Sequence, residues 1–326
     1  MAERSQKGRT TSEHPAVRAW AALGGRPARG KVEELKVKKK VGVYRLNGAG
    51  PRGSTVVAKG GSNPDAVAEA EIYERVLPRL PVPRLRYYGR LHDEDGYFWL
   101  FLEDAGDKVY DRRRAEHRAM AARWLGSLHA SSACDKLEPL LRSRGPQYYA
   151  RHLRDGRHRV TAGLGNPALS SADRAVLQAL IQQCDTVESR WQEVVEACER
   201  FPSTFVHGDF VGKNVRLLVR EGSEVMIALD WELAGWGSPA PDLSVLTMHD
   251  GEADLEAYRD TVRERWPELR LEDVQRCATV GVIFRLIASV SWASRGLAYE
   301  WVRKPMRLLR LYRESLPEAM KRMGWA

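Results

Sequence analysis

Cysteine is scarce in this chain: there are four, Cys134, Cys184, Cys198 and Cys277. None belongs to a CxxC pair and no nearby histidine completes a zinc spacing, so a metal clip is excluded and reduced thiols on helices are expected. The first residues, Met1 to His14, are polar and carry no apolar periodicity. They lack the apolar core of a secretory signal and read as a mobile tail. Long apolar runs are missing too. The most apolar stretch, Gly281 to Ala293, is interrupted by Arg285 and is too short to span a bilayer. There is no internal repeat and no low-complexity segment. The net charge is +9, yet no zinc finger, helix-turn-helix or RNP pattern accompanies it. The expectation is a cytoplasmic protein with neither a membrane nor a nucleic-acid partner.

What is present is ordinary for a globular chain: 326 residues, 43% hydrophobic and 29% charged. Ten tryptophans are scattered through it and read as packing residues. From Val32 to Lys59 the pattern favours strands, with Val32, Leu35 and Val37, then Val41, Val43, Tyr44 and Leu46, then Ser54 to Lys59 after the turn-rich Asn47 to Gly53. A helix is expected from Pro64 to Val76, with Asn63 as N-cap. Two strands follow, around Leu85 to Arg90 and Tyr97 to Leu102, joined by the acidic turn Asp93 to Gly96. After Gly106 helical periodicity takes over: Ala115 to Ser132, Ala172 to Arg200, Glu252 to Trp266, Leu271 to Arg295 and Lys304 to Arg322. One strand-like island, Thr204 to Asp230, interrupts it. A small β-rich lobe with one key helix, followed by a larger mostly helical lobe, is an α+β architecture. The basic cluster Arg151 to Arg159 reads as a solvated helix face.

The island carries the chemistry. It reads STFVHGDFVGKNVRLLV and then EVMIALDWELAGWG. Asn214 lies five positions after Asp209, and Asp230 sixteen further on, at the end of the apolar strand Val225 to Leu229. Phosphoryl transfer needs this set. A carboxylate must accept or orient a hydroxyl proton, and hard magnesium ions that bridge phosphate oxygens prefer amide and carboxylate oxygens. The spacing of Asp209 and Asn214 matches the protein-kinase catalytic loop, with Asp230 in the place of the kinase metal-binding aspartate.

HGDFVGKN followed by DWELAGWGSPAPDLS resembles the aminoglycoside phosphotransferase family, and the resemblance covers nearly all of the chain after the tail. It implies a bilobal protein-kinase-like fold. The tail would occupy 1–14, an ATP-binding lobe 15–102, a hinge 103–106, and a helical lobe with catalytic loop and acceptor site 107–326. It implies ATP and Mg²⁺ as cofactors and a small-molecule hydroxyl as acceptor. Asp209 would be the catalytic base, and Asn214 and Asp230 the magnesium ligands. Lys59, ending VVAK, resembles the kinase phosphate-binding lysine. Its partner on the following helix is Glu69 or Glu71, and Glu71, directly before Ile72-Tyr73, is the expected one. Backbone groups of Leu102 and Asp104 would meet adenine.

One feature departs from protein kinases: Lys38 to Tyr44 (KKKVGVY) holds one glycine, Gly42, where GxGxxG would lie. His207 is expected to hold the catalytic loop, Asp242 to brace it, His129 to be a core histidine, and Lys213 to face either the site or solvent. Antibiotic resistance, or metabolism of a sugar, amino alcohol or nucleoside-like compound, are the settings the family implies. Two rival classes remain. A nucleotide-binding protein without catalysis commonly loses one of Lys59, Asp209, Asn214 and Asp230, and all four are present. A nucleic-acid binder rests on the charge alone.

Overall fold

The computed structural model describes residues 14–28, 31–38, 41–62, 64–92, 97–133, 137–247 and 251–325. The expected tail through residue 13, the N-cap Asn63, the turn Asp93 to Gly96, and Cys134 lie outside them. In chain order the elements are α1 (Pro15–Ala22), β1 (Glu33–Lys38), β2 (Val41–Leu46), β3 (Val56–Gly61), α2 (Pro64–Glu71), β4 (Tyr87–His92) and β5 (Phe98–Glu103). Next come α3 (Ala115–Ser132), α4 (Pro146–Gly163), α5 (Ser171–Ser189), α6 (Trp191–Glu199), β6 (Thr204–Val206), β7 (Val215–Arg220) and β8 (Ser223–Ala228). The chain closes with β9 (Gly235–Gly237), α7 (Ala240–Leu243), α8 (Gly251–Val262), α9 (Leu271–Ser294) and α10 (Arg303–Arg322). It divides into two compact units, one of residues 1–110 with 212–233 and one of 111–211 with 234–326.

In the first unit, five strands among the described residues form one antiparallel sheet in the order β1-β2-β3-β5-β4. The alternation of β3 sets its two faces. Val56 and Ala58 turn to a core shared with Trp99 and Phe101 of β5 and Ala16, Val17, Ala19 and Trp20 of α1. Val57 and Lys59 therefore take the opposite face, and both line a cavity. Because β5 lies between β3 and β4, Phe98 through Leu102 are all buried, which explains the unbroken apolar run FWLFL. Helix α1 was not expected from sequence. His14, assigned to the tail, instead caps it, its Nδ1 accepting from Ala16 N–H at 3.2 Å. Helix α2 passes into a π-helical turn, Ile72–Val76, in place of the expected continuous helix.

The hairpin β7–β8 belongs to the same unit. Its two-residue loop, Glu221-Gly222, has φ of 51° and 79°, the primed-turn geometry that matches strand twist. The Lys108 carbonyl accepts from Leu217 N–H at 2.9 Å and so ties the hairpin to the end of the 103–110 segment.

The second unit is built around α9. By length and composition the helix Leu271–Ala298 suffices to cross a membrane, contrary to the expectation from its Arg285-interrupted core. Its apolar residues are instead used in packing, with Val274, Cys277, Val280, Ile283, Phe284 and Ile287 buried. Tyr149 of α4 stacks on Phe284 with ring centroids 4.0 Å apart. The expected helix Ala172 to Arg200 is two helices, α5 and α6, meeting at Arg190. Cys184, Cys198 and Cys277 are buried free thiols on α5, α6 and α9. Burial pushes Cys184 up to about 12 and Cys198 to about 11.

Gly281 lets α9 approach α7. A Cβ there would sit 1.7 Å from the Ala240 carbonyl oxygen, and backbone cannot yield as a side chain would. Gly281→Ala is expected to destabilise by about 2 kcal/mol or more, lowering Tm by about 4 °C or more. Gly145→Ala, whose Cβ meets nothing closer than 3.8 Å, is expected to leave Tm within about 1 °C. Differential scanning calorimetry of both variants checks this.

Candidate active site

The cavity of the first unit has a volume of about 490 Å³, within the usual range for a small-molecule site. Leu35, Val43, Val57, Leu85 and Leu102 line it with apolar surface. Lys59, Glu69, Asn214 and Asp230 line it with polar groups.

Lys59 Nζ sits among three carboxylates. It lies 2.6 Å from Glu69 Oε2, 2.7 Å from Asp230 Oδ1 and 2.8 Å from Glu232 Oε1. Burial opposes the lysine's charge, but Glu69, Asp230 and Glu232 together outweigh it and hold the ammonium well above the usual lysine range. Burial likewise opposes the charge of Asp230, yet Lys59, aided by Lys36 and Lys213, keeps it below the usual carboxylate range. Glu69 goes the other way. It is fully buried, and with two neighbouring anions sharing one cation its carboxyl is pushed up despite Lys59. Asp230 adopts φ of 65°, the left-handed region in which aspartate is tolerated far better than branched residues.

The lysine's partner is thus Glu69, and the expectation of Glu71 is corrected. On an α-helix two residues apart means facing roughly opposite ways, so one of the pair can meet Lys59. Glu69 shares the buried stripe of Ala66, Tyr73 and Val76. Its other oxygen accepts from Trp231 N–H at 3.3 Å, which fastens α2 to the turn that carries Asp230. Glu232 was missed from sequence as a site residue, although the motif D-W-E contains it.

Leu102 lies within the sheet, opposite both Val57 and Tyr87. Asp104 lies past the end of β5, where its carboxylate accepts from Gly106 N–H at 3.0 Å and pairs with Arg45 Nε at 3.0 Å. Arg45 also pairs with Asp107 at 2.6 Å and Glu33 at 3.3 Å. No sequence signal singled it out, because its partners come from an adjacent strand and a distant turn. Lys213 lines the same cavity. Of the loop at Lys38 to Tyr44, residues 39 and 40 lie outside the described residues.

The oxygens of Glu69, Asp230 and Glu232 lie within 4.8 Å of one another. Hard oxygen donors this close, with Asn214 lining the same cavity, fit a divalent cation such as Mg²⁺.

Asp209 belongs to the second unit. It follows β6, His207 and Gly208, whose φ of 78° turns the chain. Its N–H donates to His207 Nδ1 at 3.2 Å. The loop is anchored by Asp242, which is entirely buried. Asp242 Oδ2 accepts from His207 N–H at 2.7 Å and Oδ1 from Gly208 N–H at 2.8 Å. His129 Nε2 lies 3.3 Å from Oδ2, and His129 Nδ1 lies 3.0 Å from the Tyr258 hydroxyl. Burial opposes the charge on Asp242, but His129 and His207 hold it below the usual carboxylate range. Phe210, next to Asp209, stacks on Trp124. The expected supporting roles of His207, Asp242 and His129 agree with these contacts.

The sequence profile of the phosphotransferase enzyme family, APH, matches residues 43–273. The chain belongs to that family. Its α+β arrangement is kinase-like. A wild-type aminoglycoside 2'-phosphotransferase-IIIa bound to GDP superposes with a TM-score of 0.59 and 14% identity, over 88% of this chain and 93% of that one. A choline kinase from Cryptosporidium parvum Iowa II gives 0.60 at 11% identity, over 90% and 91%. A spectinomycin phosphotransferase with ADP and spectinomycin gives 0.57 at 10% identity, over 95% and 98%. Among curated protein sequences none matches.

Two outcomes follow. Glu69→Gln is expected to lower nucleotide affinity by about tenfold or more, as loss of a charge-assisted hydrogen bond does, and Glu71→Gln to leave it within about twofold; titration calorimetry with each variant decides. Asp242 has a folded pKa below its unfolded value, so its stabilisation is present above about pH 4 and lost as pH falls through the folded value. In asparagine one of the two accepting oxygens becomes an NH₂ donor set against a backbone N–H donor. Asp242→Asn is expected to lose about 3 kcal/mol or more at neutral pH and to show a flatter decline in stability below about pH 4, read by urea unfolding across pH.

Proposed function

We propose that this chain transfers the γ-phosphoryl group of ATP, with Mg²⁺, to a hydroxyl of a small molecule in the cytoplasm. The observation that carries the reading is Lys59 held by Glu69 beside Asp230 in a cavity that Asn214 and Leu102 also line. Family membership supports it, as do fold relatives captured with GDP and ADP. Lys59 binds phosphate oxygens, and Glu69 keeps its ammonium in place. Asp230 and Asn214 would hold the metal, with Glu232 beside them, and the metal when bound neutralises phosphate charge. Adenine lies against Leu102 and meets the backbone at Asp104, which is outside the sheet ladder. Asp209 takes the acceptor's proton as the hydroxyl oxygen bonds to phosphorus and the bond to ADP breaks. The His207 and Asp242 contacts fix the loop that carries it.

The acceptor is a neutral, weakly basic or anionic compound rather than a polycation. A polycation needs converging carboxylates. Of the acidic run Asp250 to Asp260, residue 250 and the Glu252 side chain lie outside the described set. Asp254 is consumed by Arg118 at 2.8 Å, both groups buried. Asp260 pairs with Arg259. The net charge of +9 disfavours approach of a polycation.

Asp209→Asn is expected to cut turnover by on the order of 10²-fold or more while ATP binding persists. Near-normal turnover removes Asp209 from its role. Kanamycin-like polyamines are expected to be poor acceptors; kcat/KM above about 10⁴ M⁻¹s⁻¹ for them, with neutral hydroxyl compounds inert, overturns the charge argument.

A further inference from the structure

The second unit holds a cavity of its own, of about 540 Å³, walled by α9, α10 and the turn after α7. Each helix gives one stripe. Thr279, Val282, Arg285 and Leu286 recur along α9, and Ser315, Glu318, Ala319 and Arg322 along α10, at the spacing of a single helix face. Ser244 and Thr247 complete the wall. They stand two and five residues after Asp242, the anchor of the Asp209 loop.

The charge on these walls is one-sided. Among the described residues, Arg112, Arg285 and Arg322 line the cavity, against a single carboxylate, Glu318. Glu318 is engaged by Arg322 at 3.4 Å. Among the described residues neither Arg112 nor Arg285 has a carboxylate partner. Arg285 is the residue that breaks the most apolar stretch of the sequence, and it is half-buried in the middle of the core helix. A guanidinium withdrawn partly from water, beside two others and with no carboxylate partner among the described residues, costs stability unless an anion meets it.

The hydroxyls add a second requirement. Ser244, Thr247, Thr279 and Ser315 each donate to a backbone carbonyl, of Pro241, Ser244, Gln275 and Leu311 respectively. Their protons are committed, so toward a ligand their oxygens accept. The cavity thus presents donors for an anion from guanidinium groups and acceptors for hydroxyls from the four side-chain oxygens.

We propose that this cavity receives the acceptor, and that the acceptor is an anionic polyhydroxy compound, a sugar carboxylate or a sugar phosphate. The inference rests on the phosphotransferase reading and names its substrate class. In the reaction one acceptor hydroxyl oxygen bonds to the γ-phosphorus, ADP departs, and the hydroxyl proton passes to Asp209. The carboxylate or phosphate stays on the arginines as the handle that orients the sugar.

The test uses the full chain and three matched probes, D-glucose, D-gluconate and D-glucose 6-phosphate, with kanamycin as the cationic comparison. ADP release with Mg-ATP gives turnover, and calorimetry without nucleotide gives binding. One anionic probe is expected to exceed glucose at least about tenfold in kcat/KM, and which one it is separates carboxylate from phosphate. Arg285→Gln is expected to raise KM for that probe about tenfold or more, with KM for ATP unchanged and Tm of the ligand-free protein not lowered, and Arg285→Lys to fall between. Preference for glucose or kanamycin, or an anion KM indifferent to Arg285→Gln, overturns the proposal and leaves the phosphotransferase reading standing. Anion binding that depends on Arg285 without any turnover supports the site and defeats the phosphotransferase reading. Absence of both binding and turnover for the anions overturns the proposal.

Discussion

One ammonium surrounded by three carboxylates organises the first unit. Lys59 comes from the cavity face of β3, Glu69 from α2, and Asp230 and Glu232 from the turn after β8. Each is placed by a different rule. Strand alternation sends Lys59 away from the core shared with α1, helix phase selects Glu69, and a left-handed backbone aims Asp230. Three anions around one cation leave an excess of negative charge where a divalent metal fits. Burial first, and that excess second, push up the carboxyl of Glu69, the most buried of the three.

The second unit solves a related problem with a single anion. Asp242 is withdrawn from water and uses both oxygens on backbone N–H groups of the loop that carries Asp209. His129 stands behind it, held in turn by Tyr258. A short loop with a left-handed glycine thereby gains rigid support from the helical core. Gly281 contributes from a distance by letting α9 close on the carbonyl of Ala240, two residues before Asp242.

Much of this is legible in the sequence because the motif residues act locally. HGDFVGKN specifies its own turn, and the apolar alternation of STVVAK fixes which face Lys59 takes. The legible part ends where tertiary packing chooses between equivalent candidates. Glu69 and Glu71 differ only in helix phase, and that phase depends on where α2 begins, near Pro64. Helix α1 is short, and its amphipathic signal lies in two turns whose partners, Leu46 and Phe101, are far along the chain. The break at Arg190 carries neither glycine nor proline to announce it. Arg285 is visible in sequence only as an interruption, and acquires meaning when the faces of α9 and α10 line one cavity.

The conformation of Asp230 constrains how this position can drift over evolutionary time. At a φ of 65° the backbone accepts glycine freely and asparagine or aspartate at small cost, while β-branched residues are strained. A descendant in which only the backbone constrains this position is therefore expected to fill it with glycine or asparagine before valine, isoleucine or threonine. The identity of the residue found there would record whether chemistry or backbone geometry was the last constraint to act.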